Sequence, residues 1–180
     1  DHHSGQLPQA LERTAVKILV IYDSVFGNTE KIAQAIARAI SQAIASGQGG
    51  TAEAELLHVS GVQPCQMEDC DLLVVGSPTR GFRPTEDLAQ LLERLAPKAL
   101  QGKRVAAFDT RFKADEQKSA FTRFIVKTGG YAAKRIAERL KKAGAVLIVP
   151  PEGFYVDDIE GPLKDGELER AAAWAKSLLK

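Results

Sequence analysis

The sequence predicts a doubly wound α/β domain: a five-stranded parallel sheet of order 2-1-3-4-5 between helices, in three α/β/α layers. Two observations carry this expectation. Short, near-continuous apolar runs alternate with longer stretches of helical period, and strands covered on both faces need such runs. The alternation repeats five times along the chain, which fits a doubly wound sheet.

Lys17-Ile-Leu-Val-Ile-Tyr-Asp23 is the first strand. Thr29 to Ser46 follows as a helix, because Ile32, Ile36, Ile40 and Ile44 recur every fourth residue on one face. The Gly-rich stretch 47–50 ends it, and Ala54 to Val59 is the second strand. Leu72-Leu-Val-Val75 is the third, running into Gly76-Ser77-Pro78. Thr85 is expected to cap a helix carrying Leu88, Leu91, Leu92 and Leu95 that stops near Pro97.

Arg104-Val-Ala-Ala-Phe108 is the fourth strand, followed by a polar stretch from Arg111 to Thr128. After Gly129-Gly130 a helix turns Ile136, Ala137 and Leu140 inward. Ala145 to Val149 is the fifth strand. Pro150-Pro151 interrupts it, and Phe154-Tyr155-Val156 either resumes it or forms a separate edge segment. Gly166 to Lys180 is the closing helix, with Leu168, Ala172, Ala175 and Leu179 on its buried face.

The 180 residues suffice for one domain, expected over 16–180. Residues 1–15 are expected to form an N-terminal arm, and Asp1-His2-His3-Ser4-Gly5 is a candidate tag remnant. Lys and Arg number 24 against 23 Asp and Glu, a near-neutral balance that argues against a nucleic-acid partner. No apolar run approaches the ~20 residues of a spanning helix, so no membrane association is expected. Cys65 and Cys70 make no secreted disulfide framework and lack the companions of a zinc site. With no signal peptide read at the start, a cytoplasmic, metal-free protein is expected.

In a doubly wound sheet, ligands bind beyond the carboxyl ends of the strands where the strand order reverses. The loop after the first strand reads Asp23-Ser24-Val25-Phe26-Gly27-Asn28-Thr29. Ser24 and Thr29 carry hydroxyls, Asn28 an amide, and Gly27 permits a turn that other residues resist. The first N–H groups of the helix lack intrahelical acceptors and lie at the positive end of its dipole. Together these make a phosphate cradle that needs no Lys or Arg. A Walker loop and a G-x-G-x-x-G turn are both absent, which argues against a triphosphate or a dinucleotide. The same residues serve equally well as a plain helix cap.

Ser24-x-Phe26-Gly27-Asn28-Thr29 resembles the phosphate loop of the flavodoxin family, usually Ser/Thr-x-Thr-Gly-Asn-Thr, with Phe26 in place of one hydroxyl. Gly76-Ser-Pro-Thr79, Phe108-Asp-Thr110, Phe154-x-Val156, Gly161-Pro-Leu163 and Gly166-Glu-Leu-Glu169 extend the resemblance over about residues 16 to 180. It implies a flavodoxin-like fold, FMN as cofactor, and electron transfer to a redox partner protein or a small-molecule acceptor. It also implies that the loops after the third and fourth strands grip the isoalloxazine ring.

In the third-strand loop these residues are Ser77, Pro78, Thr79, Arg80, Gly81 and Phe82. Phe82 is either the stacking ring or a loop anchor, Thr79 a donor to the ring edge or phosphate, and Gly81 a peptide facing the flavin N5. The fourth-strand loop supplies Asp109, Thr110, Arg111 and Phe112. Phe112 either stacks or joins Phe121 and Phe124, and Asp109 either serves the site or caps the next turn. Arg80, Arg83, Arg111 and Lys113 make both loops basic where the family's electron carriers are acidic. Positive charge favours the anionic reduced flavin, so a raised potential is expected; otherwise these cations are solvated or meet an acidic partner.

No catalytic side chain is expected, since the cofactor carries the chemistry and His58, the only histidine beyond the arm, falls on the second strand. Two other functions fit the same residues. One is a flavin-dependent reductase of a quinone or other small molecule, with 111–128 as a wall over the ring. The other is a flavodoxin-like domain that no longer binds flavin.

Overall fold

A computed structural model describes residues 16–47, 52–113 and 130–180. The arm 1–15, turn residues 48–50 and most of the polar insertion, with Phe121 and Phe124, lie outside the described residues. The sheet has the order β2-β1-β3-β4, built from β1 (Val16–Tyr22), β2 (Ala52–His58), β3 (Leu72–Pro78) and β4 (Arg104–Arg111). Its fifth position is shared by β5 (Val146–Leu147) and β6 (Glu152–Tyr155), and all neighbouring strands run parallel. The expected order 2-1-3-4-5 is therefore the observed one.

The expected fifth strand, Ala145 to Val149, is shorter than its apolar run. Ile148 still donates its N–H to the Val105 carbonyl at 3.1 Å, but Pro150 and Pro151 have no N–H to continue the ladder. Pairing to β4 resumes at Glu152, opposite Phe108, and holds through Tyr155 opposite Arg111. Phe154-Tyr155 thus resumes the strand.

Alternation along the central strands builds two cores. Leu19 and Ile21 of β1 face one side of the sheet with Leu73 and Val75 of β3. There they pack under α3 (Glu86–Glu93) and α4 (Ala132–Lys142), through Leu88, Leu91, Leu92, Ile136, Ala137 and Leu140. Ile18, Val20 and Tyr22 face the other side, under α1 (Asn28–Ala45) and α5 (Glu167–Ser177). Ile32, Ile36 and Ile40 of α1 are wholly buried, each contributing about 1.5–3 kcal/mol.

Two features depart from the pattern read in the sequence. The buried face of α5 is Ala171, Ala175 and Leu178, whereas Leu168 and Leu179 are 42% and 36% exposed. Glu167 at its first position is turned inward to meet Arg170 and the Tyr155 N–H, which fixes a different phase. A short helix α2 (Pro64–Glu68) also forms before β3, opened by Pro64 and a reciprocal Gln63–Gln66 capping box. No helix among the described residues is long and apolar enough to cross a membrane.

Parallel register brings the strand ends level at the top of the sheet. Tyr22 lies beside Gly76, Ser77 beside Asp109, and Thr110 beside Phe154. The loops leaving β1, β3 and β4 consequently converge on one place.

Candidate functional site

A cleft of about 450 Å³ opens there, within the size range of small-molecule sites. Its first wall is the loop between β1 and α1. Gly27 turns the chain at φ +94°, and Ser24 Oγ accepts the N–H groups of Gly27 (3.1 Å) and Glu30 (3.3 Å). That arrangement leaves the main-chain N–H groups of Val25, Phe26, Asn28 and Thr29 without an acceptor among the described residues. All four residues line the cleft. Thr29 and Thr110 share one hydrogen bond of 2.8 Å between their buried hydroxyls, so one of the two O–H groups remains able to donate elsewhere. The result is a donor-rich loop at a helix N-terminus whose own residues carry no cation, an arrangement able to accept an anion.

Phe26 does not fill this pocket. It is 46% exposed at the mouth of the cleft, where the Arg80 guanidinium sits 5.9 Å from its ring centroid. Asn28 turns its amide the other way and donates to the Glu160 carbonyl at 3.1 Å, tying α1 to the loop after β6.

The second wall is the loop between β3 and α3. Arg80 and Arg83 exchange two main-chain hydrogen bonds, of 2.7 and 3.1 Å, closing a two-residue turn. Its central residues, Gly81 and Phe82, have φ of +53° and +66°. Glycine adopts this region freely, whereas Phe82 occupies it at a cost of about 1–2 kcal/mol. Arg135 of α4 helps to hold the turn by donating to the Phe82 carbonyl at 2.9 Å.

The third wall is the end of β4. Asp109 is fully buried, and burial pushes its carboxyl above the usual range against the opposing pull of Arg111. Its Oδ2 accepts the Ala133 N–H at 2.9 Å, while Thr79 Oγ1 accepts the Ala132 N–H at 3.1 Å. Both therefore cap α4. Arg111 binds Asp109 through two bonds of 2.6 and 2.7 Å and lies over the Tyr131 ring, 3.6 Å from its centroid. Gly153 permits this packing, because a Cβ there would stand 2.1 Å from Arg111 Nε.

Of the residues singled out in the sequence, Ser24, Phe26, Asn28, Thr29, Pro78, Thr79, Arg80, Gly81, Phe82, Thr110, Arg111 and Phe112 line one cleft. Gly27 shapes it through its backbone. Ser77 and Asp109 lie beneath it, fully buried, and Asp109 accepts from the start of α4 rather than from the turn that follows it. The Thr79 hydroxyl is likewise engaged with Asp109 and α4.

The sequence reading missed Val25, Tyr131, Val156 and Ile159, which complete the lining. Tyr131 immediately precedes α4 and could have been found as the aromatic entering the next element. It also missed the support under the phosphate loop. Asp23 accepts the Ser24 N–H at 2.8 Å, His58 Nε2 lies 3.2 Å from Oδ1, and the Thr85 hydroxyl donates to Oδ2 at 2.6 Å. One carboxylate so joins β1, β2 and the cap of α3.

A Flavodoxin domain model matches residues 19–149. No curated protein sequence matches the chain. Among solved structures, a flavodoxin from the domain Archaea is 21% identical with a TM-score of 0.69, over 91% of this chain and 96% of that one. Flavodoxin 2 of Bacillus cereus is 24% identical with a TM-score of 0.69, over 91% of this chain and 98% of its own. Rubredoxin oxygen:oxidoreductase of Desulfovibrio gigas is 22% identical with a TM-score of 0.64, this chain matching 35% of its length.

Proposed function

The chain belongs to the flavodoxin domain family, and from that premise we propose that it binds FMN in the cleft and transfers electrons through it. The observation that carries this reading is the set of main-chain N–H groups at Val25, Phe26, Asn28 and Thr29 left without acceptors among the described residues, beside the Thr29–Thr110 hydroxyl pair. A mononucleotide needs a phosphate grip and an apolar slot for its ring, and the reading is supported by the donor-rich loop and the aromatic side chains sharing one cleft.

FMN supplies reversible uptake of one or two electrons when bound. The protein's part is to hold and orient it. In this reading Ser24, Gly27 and the α1 N-terminus shape the phosphate grip, with one hydroxyl of the Thr29–Thr110 pair donating. Phe82, Phe112 and Tyr131 offer flat apolar surface for the ring, and the turn at Gly81 presents main-chain groups to its edge. The lining side chains are hydroxyls, amide, guanidinium and apolar groups, which suits binding and tuning more than proton transfer. The reading includes a cytoplasmic location, supported by the free thiols of Cys65 and Cys70.

The purified protein should be yellow and release FMN rather than FAD on denaturation; a colourless preparation should shift the spectrum of added FMN and retain it through gel filtration. An FMN titration whose absorbance and fluorescence stay those of free FMN would sink the reading and leave a flavodoxin-like scaffold. Steady oxidation of NAD(P)H with a quinone, without a protein partner, would instead identify a reductase.

A further inference from the structure

We propose that the face beside the cleft, from the Phe26 mouth across the Arg80–Arg83 turn into the groove between α3 and α4, docks an acidic partner protein. This rests on the electron-transfer reading, because the face borders the mouth of the same cleft. The groove has a volume of about 540 Å³ and is lined by Arg80, Arg83, Arg135 and Arg139, with Glu86 and Glu93 among them. Arg80 lines both the groove and the cleft.

These cations are available. None of the four makes an ion pair among the described residues. Arg135 and Arg139 donate to the main-chain carbonyls of Phe82 and of Glu93 and Leu95, which orients the guanidinium groups without neutralising them. The whole chain carries a formal charge of only +1, so the four arginines are a local concentration. Guanidinium pairs with carboxylate in two parallel bonds and sheds its water more readily than ammonium.

Beside this charge lies apolar surface. Val25, Phe26 and Ile159 are 49%, 46% and 65% exposed, and all three line the cleft. An apolar centre flanked by arginine is the composition of a protein interface. Glu86 and Glu93 favour a partner surface of mixed groups over the uniform phosphate ribbon of a nucleic acid.

The test follows amide shifts of the 15N-labelled, FMN-saturated protein during titration with poly-L-glutamate, poly-L-lysine and oligothymidylate of equal length. Poly-L-glutamate at about 20 mM salt should shift the amides of 80–83 and 135–139, and about 300 mM salt should reverse most of the shift. Arg83→Glu, outside the cleft lining, should weaken the interaction at least about tenfold, while Arg38→Glu on α1 should change it less than about twofold. Flavin absorbance is recorded in the same samples. Loss of the flavin signal with the poly-L-glutamate response intact would defeat the cofactor reading and leave the docking face standing. A response to poly-L-glutamate elsewhere or nowhere, an equal response of this face to poly-L-lysine, or tighter binding of oligothymidylate there would overturn the proposal.

Discussion

Asp109 clamps the Arg111 guanidinium with two bonds, of 2.6 and 2.7 Å, so that a cation in the cleft wall becomes half of a neutral pair. Arg80, in the facing turn, lies over the Phe26 ring and makes no ion pair among the described residues. The basic character of the two loops is therefore carried unequally. A ligand in the cleft would feel Arg80 as a charge and Arg111 chiefly as a dipole.

That inequality predicts a redox result. A unit charge ~7 Å from a flavin at an effective dielectric constant of ~20 is worth about 2 kcal/mol, or about 0.1 V. Arg80 is exposed, so solvent and salt reduce this to a few tens of millivolts. Arg80→Ala should lower the midpoint potential of the FMN-loaded protein by that amount, and the difference should shrink in high salt. Replacing the pair together, Asp109→Leu with Arg111→Met, should move the potential less. Redox titration at two ionic strengths decides it; an unchanged or raised potential in Arg80→Ala would reject the assignment.

The Thr29–Thr110 hydroxyl pair predicts a ligand preference. Thr29→Val removes one hydroxyl of the pair proposed to donate to the phosphate and conserves the volume of the buried side chain. A hydrogen bond to a charged group contributes about 1.5–3 kcal/mol, so FMN affinity should fall at least about tenfold. Riboflavin, which lacks the phosphate, should bind nearly as it does to the wild type. Fluorescence titration with both ligands measures this, and equal losses would place the phosphate elsewhere.

What could be read from the chain was whatever local chemistry dictates. The four-residue spacing of Ile32, Ile36 and Ile40 set the buried face of α1, and Thr85 capped α3 by accepting the Leu88 N–H. The break at Pro150-Pro151 followed from two missing donors. Contacts made by register were illegible. Tyr131 stacks on Arg111 from 20 residues further along the chain, and Asp23 meets Thr85 from 62 residues away, pairings that exist only once the strands are aligned. Leu168 is exposed for a related reason, since Glu167 beside it turns inward to the Tyr155 N–H of β6.

Asp23 predicts coupling between the two loops. Thr85→Val removes the 2.6 Å bond to Asp23 and the cap of α3 together. Loss of the cap alone costs about 1 kcal/mol, and a buried carboxylate oxygen deprived of its donor adds about 1–3 kcal/mol. Thr85→Ser keeps the hydroxyl and should restore most of the stability. Urea denaturation of both variants, followed by FMN titration, should show affinity falling with the valine and recovering with the serine. Full FMN affinity in Thr85→Val would mean that the phosphate loop keeps its shape without this link.

Glu167 predicts the acid limb of stability. Burial raises its carboxyl, but hydrogen bonds from Arg170, at 3.0 and 2.6 Å, and from the Tyr155 N–H, at 2.8 Å, outweigh that and hold it below its ordinary value of 4.5. A carboxyl that is more acidic folded than unfolded contributes stability that is fully present above the unfolded value. That contribution is lost as pH falls through 4.5 toward the lower folded value. Glu167→Gln should therefore be less stable than the wild type at neutral pH, by about 1–3 kcal/mol, because Arg170 loses its closest anion. The gap should narrow as the pH is taken from 6 to about 3, since only the wild type then gains a proton on folding's reversal. Arg170 also binds the Gly153 carbonyl, and Gly153 packs against Arg111, so the variant loosens the cleft wall from behind. Parallel urea-unfolding curves at each pH provide the measurement, and identical pH profiles for the two proteins would show that Glu167 is not held as its bonds imply.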